Sequence, residues 1–499
     1  MPSERRLHPA TILFGLVGQL REFAVPIVVL LVAGSSRGGV EAWTALLLVP
    51  YSLLAVARYH TFRYRFDETE LVVRSGIVSR NERHIPYSRI QNLDASQNVF
   101  HRLFGVMSAR VDTGSGTDVE ATLSVITRAA YEEIRERVFR ERREAAAGAD
   151  EAGAEPPAEE LLRLPTRELV IHGLIENRGM IVIAGAIGLI FQSGVDERLF
   201  ARLERDQEGS RSALRNLAGQ ITELAAGADG IVLGILIVLV ALLLVRVLSI
   251  AIALVRLHGF RLTRIGEDLR AEYGLLTRVT ATIPLRRVQT VTVTAGLLHR
   301  WFGRASIRVD TAGGDGPQVQ RRGRESLAPI LRAGQVSALL RAVLPELSLD
   351  DIDWRPAAPG ATGRELRRRL ALSGALALGL VYFLGWYALA AFAALAVLSW
   401  FTAARYVGSL GWATVEGAVL HRSGYVRRHM TLARFSRIQA VSMVASPFDR
   451  RRQMAQVHVD TAGATGSPHR LHIPYVERET ADTLYTQLAA VASRTTFHW

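Results

Sequence analysis

Residues 71–93 read LVVRSGIVSRNERHIPYSRIQNL. Leu71, Val72 and Val73 form a short apolar run leading to Gly76, where a positive φ costs little. The stretch therefore predicts a strand, a turn and a return strand over 77–85. Mixed alternation continues over 88–98. Further on, HRLFGVMSARVDTG (101–114) predicts a strand at 107–111 closed by the polar turn cluster Asp112-Thr113-Gly114. A helix over 127–144, with Tyr131, Ile134 and Val138 on one side, completes a small unit.

The same unit occurs three times. Its second copy reads LRAEYGLLTRVTATIPLRRVQTV (269–291) and HRWFGRASIRVDTAGG (299–314); its third reads VLHRSGYVRRHMTLARFSRIQAV (419–441) and FDRRRQMAQVHVDTAG (448–463). Fifteen residues separate Gly76 from Gln91, Gly274 from Gln289 and Gly424 from Gln439. Twenty-one separate those glutamines from Asp112, Asp310 and Asp460. Arg89, Arg287 and Arg437 stand two before the glutamines, and Arg102, Arg300 and Arg450 eleven after. Three ungapped copies mean internal duplication. Closing helices are expected at 333–343 and 477–490 in the later copies.

Each copy follows a pair of apolar stretches: 11–33 with 43–57, 179–195 with 230–255, and 370–384 with 386–404. A membrane span needs about 20 apolar residues. The 230–255 stretch has one charge, Arg246; Arg21 and Glu22 fall inside the first stretch, and Pro50 inside the second. Residues 1–9 are not expected to be a cleavable signal, because the apolar run after them is long and lacks a clear small-residue cleavage site. Arginines flank the outer ends of every pair, among them Arg5, Arg6, Arg58, Arg163, Arg256, Arg364 and Arg405. The link at 196–229 holds five Arg against seven acidic residues. This asymmetry puts both termini and all large soluble segments on the cytoplasmic side of the membrane.

Composition narrows the chemistry. The 499 residues carry a net charge of +13, with no cysteine and no lysine. Thiolate metal sites, Cys nucleophiles, Schiff-base lysines and P-loop lysines are excluded. The positive charge is accounted for by cytoplasmic loops and anionic headgroups, and no nucleic-acid partner is expected.

The paired apolar stretches, followed by Gly…Ile-Pro…Arg-Ile-Gln…Phe-Gly…Val-Asp-Thr, resemble the bacterial membrane-flanked family with pleckstrin-homology-like domains. The third copy departs from the pattern: Arg434 stands where Pro86 and Pro284 stand, and Arg452-Gln453 replaces Phe104-Gly105. The resemblance implies an α-helical membrane protein with three β-rich modules. It would have about six transmembrane helices in three hairpins, each followed by a PH-like barrel of seven strands and a C-terminal helix. The expected boundaries are hairpin 1 at 1–60, module 1 at 61–145, a linker at 146–162, hairpin 2 at 163–257, module 2 at 258–348, a linker at 349–364, hairpin 3 at 365–406 and module 3 at 407–499.

No catalytic constellation emerges. Asp112, Asp310 and Asp460 each lack a partner acid or His at a fixed offset, so they read as turn acceptors. Gly76, Gly274 and Gly424, with Gln91, Gln289 and Gln439, read as structural anchors. His101 and His299 recur without metal-ligand spacing. No cofactor or metal is expected. The arginines Arg89, Arg287, Arg437, Arg102, Arg300 and Arg450 form the candidate binding surface, since a guanidinium fork matches phosphate. The expected role is a non-enzymatic scaffold in the membrane, serving envelope homeostasis or stress. Its partners would be the bilayer, anionic headgroups, a protein or another copy of itself. A transport or export component, using Arg21, Glu22 and Arg246, is the alternative.

Overall fold

The computed structural model describes residues 4–14, 56–57, 59–76, 79–90, 92–113, 121–146, 158–193, 228–311, 324–345, 347, 352–461 and 471–494. Most of the first apolar pair (15–55), most of the 196–229 link (196–227), Arg21, Glu22 and Gln91 lie outside them.

Module 1 contains β1 (Arg5–Arg6), β2 (Arg63–Phe66), β3 (Glu70–Ser75) and β4 (Asn81–Pro86), which make one antiparallel sheet in that order. A second set follows: β5 (Asn92–Asn98), the short helix α1 (Val99–Leu103), β6 (Val106–Asp112), β7 (Ala121–Thr127) and helix α2 (Arg128–Ala146). Module 2 repeats this plan. It begins with β8 (Glu159–Arg163), runs through helices α3 (Thr166–Ile175), α4 (Arg178–Ser193) and α5 (Ala228–Leu257), and resumes with β9 (Arg261–Ile265), β10 (Asp268–Tyr273) and β11 (Thr277–Pro284). It ends with β12 (Val288–Ala295), α6 (Leu297–Trp301), β13 (Arg304–Thr311), β14 (Arg324–Arg332) and α7 (Val336–Val343). Module 3 hangs from α8 (Ala361–Leu384) and α9 (Tyr387–Ser409). Its strands are β15 (Gly411–Val415), β16 (Ala418–Ser423), β17 (Arg428–Arg434) and β18 (Ile438–Val444), then α10 (Pro447–Arg450), β19 (Met454–Thr461), β20 (Leu471–Glu477) and α11 (Arg478–Arg494).

The repeated glycines sit where the sequence requires them. Gly76, Gly274 and Gly424 have φ of 115°, 112° and 86°. A Cβ on Gly274 would come within 1.9 Å of the Thr277 carbonyl oxygen. Each turn aligns the strands that follow it, and an inward row is buried: Leu71, Ile85 and Ile90 in module 1, Leu269 and Ile283 in module 2, Leu420 and Leu432 in module 3.

Three expectations change. The modules are not closed barrels. The strands β5–β7 join β8–β11 in a seven-stranded sheet of order β7-β6-β5-β11-β10-β9-β8, and β12–β14 join β15–β17 in a six-stranded sheet of order β14-β13-β12-β17-β16-β15. At two joints, β5 with β11 and β12 with β17, an edge of one module is filled by the next rather than by closure. The core follows the sheet, so Leu420 and Leu432 of module 3 belong to the same buried cluster as Val291 and Ile307 of module 2.

Second, the stretch expected as linker at 146–162 holds part of β8, which pairs with β9. Arg355, inside the other expected linker, exchanges backbone hydrogen bonds with Trp412 of β15 at 2.8 and 3.0 Å. In each copy, backbone before the apolar pair pairs with the strand after it, as β1 does with β2.

Third, two described helices, not six, are long and apolar enough to cross a membrane: Gly234–Leu257 within α5, and Tyr387–Ser409. Twenty-four residues of α-helix span about 36 Å, enough for a hydrocarbon core of about 30 Å. The described part of α4 has only 16 residues, and α8 opens with Arg364, Glu365, Arg367, Arg368 and Arg369.

Polar ties seat the helices on the modules. Glu168 of α3 receives two hydrogen bonds from Arg304 of β13, at 2.7 and 2.8 Å, with both side chains nearly buried. Glu365 of α8 is fully buried. It accepts from Arg368, Arg369 and the Tyr475 hydroxyl, each at 2.8 Å. Burial opposes its charge, but those hydrogen bonds outweigh it and hold the carboxyl below its usual range.

Replacing Glu168 by Ala leaves the Arg304 cation nearly buried and unpaired. It is expected to cost about 3–5 kcal/mol, read as a lower denaturation midpoint of the detergent-solubilised chain. A second prediction concerns acid. Burial pushes His421 down to about 4, with His472 as the next cause; burial and then His458 push His472 down to about 4. Unfolded His titrates near 6.5, so protons bind the unfolded chain first, and stability falls as pH drops from about 6.5 to about 4, then levels. His421 alone accounts for roughly 3 kcal/mol of that loss. Thermal melts of the full chain across this range should steepen accordingly, and His421→Leu should flatten the slope.

Candidate functional site

A concave feature lies where the second helical pair meets modules 2 and 3. It is a cavity of about 920 Å³. Its lining combines Met180 and Ile181 of α4 and Ile252 of α5 with His172, His299, Arg178, Arg256, Arg308 and Arg427. Met180 and Ile181 also face outward on the helix surface. Arg427 belongs to the β16–β17 turn, so the cavity is complete only when module 3 is joined to module 2.

Its electrostatics are asymmetric. His172 is buried and its Nδ1 has no hydrogen-bond partner; its Nε2 lies 3.7 Å from Glu176. Burial pushes His172 down, against the pull of Glu176. Burial also pushes His299 down, and Arg427 adds to the effect. Burial thus biases both rings toward the neutral form, and the fixed charges lining the cavity are the guanidiniums of Arg178, Arg256, Arg308 and Arg427 and the Glu176 carboxylate, which Arg178 pairs. An anionic group placed here would meet these cations and ring N–H donors, while its apolar remainder lay along α4.

Beside this cavity runs an exposed apolar rim. The amide of Leu275 donates to the Val255 carbonyl near the end of α5, and that of Gly274 to His258, which holds the β10–β11 turn against the helix end. Leu276 in that turn, Leu297 and Trp301 of α6, and Phe100 and Leu103 of α1 are all exposed, Trp301 at 82 %. Aromatic and aliphatic side chains at the base of a spanning helix match the headgroup level of a bilayer.

The arginines expected to form one binding surface separate into two sets. Arg102 donates to the Leu275 carbonyl at 2.6 Å, and Arg300 to the Tyr425 carbonyl at 3.0 Å, each clamping the next module's turn. Arg450 is exposed at the end of module 3. Arg89 is exposed, whereas Arg287 and Arg437 are half-buried beside their 3-10 turns. Burial, with Arg434 nearby, pushes Arg437 down. Among the anchors, Gln289 is buried and donates to the Arg287 carbonyl, and Asp310 accepts from Thr290 at 2.8 Å across the β12–β13 pair. Among the described residues no cluster of His, Asp or Glu could hold a metal ion.

Sequence reasoning missed the cavity because its lining comes from seven separated stretches; His299 and Arg308 recur in the first copy as His101 and Arg110, but nothing local brings them together with His172 and Arg427. It also read Arg434 as a mere departure from the proline of the other copies. Arg434 donates to the Leu285 carbonyl at 3.2 Å, across the joint between modules 2 and 3.

Comparisons with known proteins agree with the repeated architecture. The transmembrane protein YdbT of Bacillus subtilis (strain 168), a UPF0699 protein, is 23% identical over 366 residues, covering 70% of this chain and 71% of its own length. No solved structure matches the chain significantly. The sequence pattern described as Bacterial PH domain matches residues 12–142, 217–346 and 372–492. Three matched segments, each spanning apolar helix and β-module together, account for most of the polypeptide, and the chain belongs to the bacterial PH domain family.

Proposed function

We propose that this chain is a non-enzymatic membrane scaffold whose three modules lie as one array against the cytoplasmic leaflet, hung from three helical hairpins, and that the cavity at the second hairpin receives an anionic lipid headgroup. The carrying observation is the polarity of that cavity. Arg308 and Arg427 line it from the modules, and exposed Met180 and Ile181 line it from α4. Guanidiniums pair well with phosphate, and the apolar rim at Leu276, Leu297 and Trp301 supports the array lying at the headgroup level. Exposed Arg89 is a further headgroup contact within the same reading. Arg246, the charge a transport path would use, donates to the Leu174 carbonyl and to Asn177. That engagement is structural and favours the scaffold over the transporter.

The test uses the full chain reconstituted in nanodiscs containing phosphatidylglycerol or only phosphatidylcholine, with tightly held lipid counted by native mass spectrometry. Phosphatidylglycerol should be retained selectively. Replacing Arg308 and Arg427 together by Gln should reduce retention about tenfold, the equivalent of one charge-assisted contact of about 1.4 kcal/mol. Equal retention of both lipids, untouched by the substitutions, would count against the headgroup reading.

A further inference from the structure

The two joints inside this chain are built to one plan. In the first, Ala95 opposes Thr280, Ser96 opposes Val279 and Gln97 opposes Arg278. In the second, the repeat-equivalent residues face each other: Val293 opposes Met430, Thr294 opposes His429 and Ala295 opposes Arg428. The register is the same. So is the clamp, with Arg102 on Leu275 in the first joint and the equivalent Arg300 on the equivalent Tyr425 in the second.

Each end of the array keeps half of such a joint. In module 3, β18 occupies the place of β5 and β12, and it ends its sheet, which has the order β18-β19-β20. In module 1, β4 occupies the place of β11 and β17, and it ends the sheet β1-β2-β3-β4. Burial records the difference. In β12, Gln289, Thr290, Thr292 and Thr294 are each 4 % exposed. Their equivalents Gln439, Ala440, Ser442 and Val444 in β18 are exposed. Asn81, Glu82, Arg83 and His84 of β4 are exposed as well, and so is Arg450, the equivalent of Arg102 and Arg300. Among the described residues neither β4 nor β18 has a neighbouring strand on that side, and such an edge can recruit another strand.

We infer that β18 of one copy pairs antiparallel with β4 of a second copy, giving head-to-tail assembly in the membrane plane. The two internal joints dictate the register: Ala440 opposite Ile85, Val441 opposite His84, Ser442 opposite Arg83, Met443 opposite Glu82 and Val444 opposite Asn81. Arg450 then clamps the incoming turn beside Gly76. The interface is heterologous, because the two edges differ, so it propagates into rings or filaments and not into closed twofold dimers. It stands independently of the headgroup reading, since the cavity takes no part in it.

The chain lacks cysteine, so introduced thiols have no background. In liposomes, a full-length variant carrying Ser442→Cys and Arg83→Cys should give a ladder of dimers, trimers and larger species on oxidation. An equimolar mixture of the two single variants should stop at dimers. Thr292→Cys with Thr431→Cys, opposed within the second joint, should close inside one chain and shows that this pairing geometry admits a disulfide. Arg450→Glu, added to the double variant, should weaken the ladder at least fivefold. The inference is overturned if the ladder is absent while the internal pair closes. It is equally overturned if Ser442→Cys alone crosslinks as strongly as the mixture, or if Ser442→Cys with Glu82→Cys, one residue out of register, crosslinks as well as the in-register pair.

Discussion

An unpaired strand edge is the constraint around which this protein is organised. A backbone N–H or C=O left without a partner away from water costs as much as a lost hydrogen bond. A closed barrel would remove the problem within each module. Here the strands stay open, and each module lends its edge to the next. The seven- and six-stranded sheets are the outcome. Because a one-residue slip would turn every inward side chain outward, the shared hydrophobic cluster across the second joint, with Leu420 and Leu432 against Val291, holds the register as firmly as the hydrogen bonds do.

The helices are bound to this array by buried charge. Glu168 with Arg304, and Glu365 with Arg368, Arg369 and Tyr475, put carboxylates at the bases of the hairpins and satisfy them fully. Tyr475 even adopts a φ of 55° to reach its position, while its carbonyl accepts from Ala358. A non-glycine residue in that region costs on the order of 1–3 kcal/mol and persists only where its surroundings over-determine it. Helix and module therefore move as one body at the third hairpin.

Much of this was legible in the sequence, because the turn glycines and the inward apolar rows are local signals. Gly76, Gly274 and Gly424 announced their hairpins, and Leu484 and Leu488 at a spacing of four marked the inner face of the closing helix α11. The choice of neighbour was not legible. The alternation in 277–284 is the same whether the strand lies against β12 or β5, so periodicity could not distinguish a closed barrel from a shared sheet. The short pairing segments before each hairpin escaped for a related reason. Residues 159–163 read EELLR, which has no strand pattern of its own and becomes a strand only by pairing with β9. The repeated arginines were visible as repeated, but nothing local says that Arg102 and Arg300 reach carbonyls rather than phosphates.

The hairpins interrupt their own modules, and this bears on how the polypeptide is made. The segments β1, β8 and Arg355 emerge from the ribosome before the hydrophobic helices, yet their partners β2, β9 and β15 emerge after them. On the topology proposed above, each early segment waits during vectorial synthesis until its helices have entered the bilayer and returned the chain to the same side. A hairpin that failed to insert, or inserted the wrong way round, would strand the two halves on opposite sides of the lipid. On that topology, completion of each β-unit depends on correct insertion, and a misinserted chain would keep its early and late strands apart.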